Sequence, residues 1–301
     1  MSTPTSPPNR LPEHVPAPTP ASIPYHRATR SHHVAGRTLA AAASVVLTLS
    51  CVSLFVRNTR SLEYYTTRVG EQQSLRQRDG SVITLNTDSS ITIRRDGQNL
   101  YVTLLKGEVH FDMTPDHQRR LVVSVGDRVE VIDTATIFDV RLTEHGARVT
   151  VKEGHVEIVM THLAQVQLIQ NQQVAIDTGP TSLAVRTRNI SSREVDRQLS
   201  WLRGYFDFQC EPLASAAAEF NRYNLTHIEI MDEPTQRVQV GGTFSTSDPA
   251  TFIAAITEVT PNVASESVQG PNGTRTLRLR QDPHSGPSPA RGCSAQFRAN
   301  Q

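Results

Sequence analysis

The chain is poor in cysteine and in aromatic residues, and it has no excess of charge of either sign. Three cysteines in 301 residues, at positions 51, 210 and 293, supply no disulfide framework. Cys210 and Cys293 could pair in an oxidising compartment, but Cys293 lies in a tail without any apolar period, and both are expected to stay unpaired. The formal net charge is +1 with the two signs interspersed, which leaves no electrostatic footprint for a nucleic acid. The eleven histidines show neither His-x3-His nor Cys/His ligand spacing, so no metal centre is read from them. A G-x-S-x-G elbow, a phosphate-cradling glycine loop and a paired-carboxylate motif are all missing, and the chain is read as neither an enzyme nor a cofactor carrier. Acids beside glycines (Glu71, Glu108, Glu153) and the strand residues Asp133 and Asp139 are read as solvated surface.

Long hydrophobic runs are also scarce, with one exception. Thr38 to Val56 passes nineteen positions without a charge, closed by Arg37 and Arg57. A helix of that length spans about 28 Å, close to the hydrocarbon thickness of a bilayer. The run predicts a transmembrane helix over 38–56, with Arg37 and Arg57 at its ends; a cleaved signal peptide is the alternative, but the run exceeds a normal h-region and the preceding arm is too long. Within it, Cys51 is read as an ordinary buried thiol. Residues 1–37 form an arm with eight prolines in the first 24 positions, which forbids a continuous helix and predicts extended, disordered chain. Arg27, Arg30 and Arg37 before the span balance Arg57, Arg60 and Arg68 after it. The short arm is assigned to the cytoplasm because a large following domain translocates regardless of its own charge.

Beyond a juxtamembrane linker at 57–68, period-two alternation dominates residues 69–187. Val82, Leu85, Ile91 and Ile93 start it, and LVVSV (121–125), VEVI (129–132), FDVRL (138–142), VTVKEGHVEIV (149–159) and QQVAI (172–176) continue it. Nine or so short strands separated by glycines predict an all-β sandwich, roll or solenoid-like stack with its polar faces outward. A connecting helix is expected over 188–204, with Val195, Leu199 and Leu202 inward and Gly204 ending it. Residues 205–280 then read as a small β-α-β-β-α-β-β module, and 281–301 as a disordered tail. Pro212 opens the first module helix, with Leu213, Ala216, Ala217 and Phe220 on one stripe. Asp248 caps the second, whose stripe is Phe252, Ile256 and Val259. Seventy-five residues suffice for such a core only marginally, so the module is expected to pack on the β domain. The fold class is mixed: β, then α+β.

Five fragments, in order, resemble the FecR-type transmembrane regulators, over about 66–280. LRQRDGSVITLNTDSSITI (75–93) is similar to that family's DGS…LN…S segment, and LLKGEVHFDM (104–113) to its GE…F segment. VEVIDTATIFDVR (129–141) resembles a GT…F-x-V-R segment, with Ala135-Thr136 in place of Gly-Thr, and VTVKEGHVEI (149–158) an EG-x-V-x-V segment. WLRGYFDFQCEPLASAAAEFNRYN (201–224) is similar to its W…PL…N-R-Y segment. The resemblance implies a single-pass protein of the bacterial inner membrane with a cytoplasmic amino terminus and a periplasmic bulk. It implies partners as well: the periplasmic signalling domain of a TonB-dependent outer-membrane transporter, an extracytoplasmic-function sigma factor, and an intramembrane protease that cuts at the span. Control of iron or siderophore uptake would follow. The family's cytoplasmic segment carries tryptophans, whereas the sole tryptophan here is Trp201. That departure keeps open a membrane-anchored periplasmic binding or scaffold module without the sigma-binding segment; a surface hydrolase is the remote third reading. Candidate docking residues are Arg222, Tyr223, Gly242 and Phe244. Arg222 and Tyr223 either meet the partner or close the helix end and fill the core edge, and Gly241-Gly242 marks either a close backbone approach or a bulge.

Overall fold

Alternating apolar and polar residues give the first half of the described chain two unlike faces on every strand, and two sheets bury the apolar ones against each other. The computed structural model describes residues 62–114, 120–126, 129–133, 136–160, 165–178, 183–270 and 273–282. The proline-rich arm, the 38–56 run with Arg37 and Arg57, Ala135 and the tail from 283 lie outside the described residues. Among the described residues no helix is long and apolar enough to cross a membrane.

The strands are β1 (Leu62–Thr66), β2 (Gln73–Arg76), β3 (Val82–Leu85), β4 (Ser90–Asp96), β5 (Asn99–Lys106), β6 (Glu108–Asp112) and β7 (Leu121–Val125). They continue with β8 (Val129–Asp133), β9 (Ile137–Thr143), β10 (Gly146–Glu153), β11 (His155–Met160), β12 (Val166–Ile169), β13 (Gln172–Thr178) and β14 (Leu183–Asn189). One sheet has the order β1-β4-β5-β7-β8-β11-β12 and the other β14-β13-β10-β9-β6-β3-β2. All pairings are antiparallel except β5 with β7. Phe111 and Phe138 stack at 4.8 Å between centroids in a core that also holds Ile83, Leu85, Ile93, Val140, Val151 and Ile158. The architecture is thus a sandwich.

It holds more strands than the alternation suggested, because single glycines break long runs. The 149–159 run divides at Gly154 (φ +81°) into β10 and β11, which belong to different sheets. Gly107 (φ +85°) does the same between β5 and β6. The expected linker also contributes: LEYYT pairs with β4 as β1, since Tyr65 packs against the core while Leu62 and Tyr64 face out.

Helix α1 (Ser192–Gln198) starts at Ser191, whose Oγ accepts from the Glu194 N–H at 3.1 Å. A 3-10 turn over Ser200–Arg203 follows, and Gly204 ends it at φ +79°. The module then runs β15 (Tyr205–Pro212), α2 (Leu213–Tyr223), β16 (His227–Ile230), α3 (Glu233–Gln236), β17 (Gln239–Ser245), α4 (Pro249–Val259), β18 (Val263–Gln269) and β19 (Arg275–Gln281). β15 pairs with β17, and β16-β19-β18 form a second small sheet. Its core is a cluster of Phe206, Phe208, Phe220, Phe244 and Phe252.

Three details differ from the sequence reading. The one-turn helix α3 was not expected; Asp232 caps it by accepting from the Thr235 N–H at 2.9 Å. In α4, Ile253 is buried and Val259 is 46% exposed, because Val259 closes the last turn beyond the covering strands. The bulge lies in β15, opposite Gly241: the register jumps from Phe208↔Gly242 to Glu211↔Val240, and Cys210 takes φ +57°. Cys210 is also disulfide-bonded, contrary to expectation, and the other two cysteines lie outside the described residues.

Candidate functional site

The outward face of the second sheet is not solvated. Read across the strands in register, one row runs Ser74, Thr84, His110, Asp139, Thr150, Gln173, Arg188. The next row holds Glu108, Arg141, Arg148, Ala175 and Arg186. Thr84, Glu108, His110, Asp139, Thr150 and Gln173 are all buried, because α1, the 3-10 turn and α2 cover this face. Asp139 and Glu108, read as surface acids, are therefore interior; the Asp133 side chain lies outside the description. Alternation separates the two faces of a strand but does not say what lies over the polar one.

Polar contacts rather than apolar ones join module to sandwich at the end of α2. Arg222 bridges Glu108 Oε2 (2.7 Å) and Glu219 Oε2 (2.9 Å), and Arg141 reaches Glu219 Oε1 at 2.7 Å. Asn86 Nδ2 donates to Glu108 (2.7 Å) and to the Tyr223 hydroxyl (2.5 Å). Thr87 Oγ1 donates to the Arg222 carbonyl (3.0 Å), and Gln72 Nε2 to that of Trp201 (3.0 Å). Gln173 Nε2 donates to Gln198 Oε1 of α1 at 2.7 Å.

The electrostatics follow from burial. Burial opposes the Arg222 charge, but Glu108 and Glu219 outweigh it and hold the guanidinium above its usual range. Burial opposes the Glu219 charge too, and Arg141 with Arg222 more than offset it, keeping its carboxyl below the ordinary value. Burial, then the negative charge of Glu108, push the Tyr223 phenol up. Asp139 is driven well above the carboxylate range by burial first and by the negative charge of Glu108 second. His110 is lowered to about 4 by burial and by Lys152, and is neutral. His110 Nδ1 and Asp139 Oδ2 are 4.0 Å apart, too far for a hydrogen bond, and neither has another partner; Trp201 Nε1, edge-on to His110 at 6.5 Å, has none either.

Beside this junction a cleft of about 470 Å³ opens between sandwich and module, with Asp139, Arg141, Arg148, Arg197, Trp201 and Glu219 among its walls. Among the described residues no group of three or more His, Cys, Asp and Glu side chains is placed to hold a metal ion.

Of the candidate docking residues, Arg222 and Tyr223 turn into the junction, Phe244 is 7% exposed within the aromatic core, and Gly242 sits in β17 opposite Phe208 at φ +130°. The structure brings the first two together at the junction, and Tyr223 and Phe244 also share one buried cluster through Phe206. Sequence reasoning missed Asn86, Glu108, Asp139, Arg141 and Glu219. A signal was present: the quoted fragments contribute LN (Asn86), GE (Glu108), V-R (Arg141), W (Trp201) and N-R-Y (Arg222, Tyr223), and these are the residues that meet.

The FecR protein family model matches residues 63–157. Two crystal structures of a candidate anti-sigma factor from Parabacteroides distasonis ATCC 8503, at 1.65 and 2.50 Å, share the fold at TM-score 0.57 and 18% identity. They cover 73% and 72% of this chain and 99% of their own. No curated protein matches. The matched segment spans β1 to β11, both sheets and the Asn86, Glu108 and Arg141 side of the junction, and over that segment the chain is similar to the FecR protein family.

Proposed function

We propose that the chain is a FecR-type regulator that relays the state of a TonB-dependent outer-membrane transporter to an extracytoplasmic-function sigma factor. The bulk would be periplasmic, anchored by the 38–56 span with the arm in the cytoplasm, and proteolysis at the span would carry the signal inward. Iron or siderophore uptake is the regulated process on this reading. The match of residues 63–157 to the FecR protein family model supports the regulatory role. The observation that carries the docking step is strand β16. Among the described residues it is an edge strand paired only with β19, and it is flanked by Leu225 (74% exposed) and Met231 (55% exposed). On that edge the Asn221 side chain accepts from the Ile228 N–H (2.7 Å) and donates to its C=O (2.9 Å), so a partner strand would displace Asn221 while covering the two exposed apolar side chains.

The test is capture of a purified transporter signalling domain by the full-length protein and by a Leu225→Asp/Met231→Asp variant. The variant is expected to lose capture while keeping its circular dichroism; equal capture by both proteins removes the docking role from β16. Reporter fusions at residues 30 and 70 check the topology, and reporters on the same side of the membrane would overturn it. A second reading, a membrane-anchored binding or scaffold module, is favoured by one observation: the sole tryptophan is buried in the junction, leaving none in the arm.

A further inference from the structure

Each arginine around the cleft but one has an acidic partner. Arg141 has Glu219 (2.7 Å), Arg222 has Glu108 (2.7 Å), Arg188 has Glu194 (2.9 Å) and Arg197 has Glu211 (3.8 Å). Arg148 is the exception. It stands in β10, half-buried, and among the described residues it makes no hydrogen bond and no ion pair. Its register partner on β9 is Arg141, so two guanidiniums face each other across adjacent strands. Like charges directly opposite destabilise a sheet, and a half-buried cation with its donors unfilled adds to that cost. Burial first, and Arg141 next, lower the Arg148 guanidinium below its usual value, against the more distant attraction of Glu219 and Glu108.

Two further groups on the same walls lack partners. The Trp201 Nε1–H is buried without an acceptor, and Asp139 Oδ2 is buried without a donor. Burial holds the Asp139 carboxyl well above the usual carboxylate range, Glu108, Glu194, Glu211 and Glu219 are each paired with an arginine, and Asp207 is the exposed acid on the outer wall. The cavity, about 470 Å³, falls within the roughly 300–1,000 Å³ typical of small-molecule sites. Its polar walls favour a polar occupant.

We propose that this cleft binds a small oxyanion compound, one bearing a carboxylate or phosphate group, with Arg148 as its charge partner and the Trp201 indole N–H as a second donor. Guanidinium donors suit both groups through paired N–H···O bonds. The inference stands on the cleft and does not depend on the transporter relay.

Isothermal titration of the purified full-length protein with inorganic phosphate, and separately with malonate, at fixed low ionic strength tests it. At least one anion is expected to bind saturably in the millimolar range or tighter. Arg148→Gln is expected to weaken that binding by about tenfold or more. Preference for phosphate assigns a phosphorylated ligand, and preference for malonate a carboxylate. Ligand-free Arg148→Gln is also expected to melt at or above the parent temperature, since a like-charge contact is removed. If it melts lower and also fails to bind, Arg148→Lys decides: recovered binding supports the site, and no binding overturns it. Absence of saturable binding by the parent, or equal affinity in Arg148→Gln, overturns it as well.

Discussion

Arg222 Nη2 lies 2.7 Å from Glu108 Oε2, tying the last turn of α2 to the first residue of β6, 114 positions earlier in the chain. Both side chains are largely buried, so the pair contributes to geometry more than to net stability: the desolvation of two charges roughly offsets their attraction. What the pair does enforce is a single seat for the module. Removing one partner leaves the other charged and unpaired.

Arg222→Ala is therefore expected to cost about 3–5 kcal/mol in urea unfolding, while Arg222→Ala/Glu108→Gln costs less than the sum of the two single changes. Additive losses in the double-mutant cycle would show that the two residues do not act together.

The junction titrates in two opposing directions. His110 has a folded pKa of about 4, below its unfolded value, so the unfolded chain binds more protons between about pH 6.5 and 4 and stability falls as pH drops through that window. The parent is expected to lose on the order of 3 kcal/mol there relative to His110→Gln, which cannot protonate. Parallel pH–stability curves for the two proteins would contradict a buried neutral histidine.

Asp139 acts with the other sign. Its folded pKa is raised, so the folded protein holds a proton that the unfolded chain releases, and stability falls as pH rises from the ordinary carboxylate value toward the raised one. Asp139→Asn keeps a donor toward Glu108 and cannot ionise. It is expected to equal or exceed the parent in unfolding free energy at pH 8, with the advantage vanishing near pH 4. A variant weaker than the parent at pH 8 would mean that Asp139 is ionised in the fold.

Gly107 carries the crossing between the two sheets. A Cβ there would meet Ser89 Oγ at 2.1 Å and Ser89 Cα at 2.6 Å, at φ +85°. Gly107→Ala is expected to cost about 2–5 kcal/mol by thermal or urea unfolding, from backbone strain and overpacking together. An unchanged midpoint would mean that the crossing tolerates a side chain.

Phe220 is fully buried and stacks on Phe252 at 4.3 Å between centroids. Phe220→Ala is expected to cost about 3–5 kcal/mol and to expose the module to protease before the sandwich. Simultaneous cleavage of both regions would show that they unfold as one unit.

Much of this was legible residue by residue. Asp248 and Pro249 marked the start of α4 because capping is local chemistry, and Gly204 marked the end of the 3-10 turn for the same reason. Leu213, Ala216, Ala217 and Phe220 are buried together because helical spacing places them on one face. Strand β1 escaped notice because it sits beside a membrane-like run and buries only part of one face. The junction escaped because its polar residues alternate as surface residues would: His110 and Asp139 look solvated until α1 and α2 are laid over them.

Local pattern thus determined which residues form strands and helices and which side of each is apolar, since side-chain direction repeats every two or 3.6 positions. The tertiary structure alone decided where the polar side goes. Asn86, Glu108, Arg141, Trp201, Arg222 and Tyr223 come from segments up to 137 residues apart, and their charges and hydrogen bonds acquire meaning only when the module closes over the second sheet and excludes water.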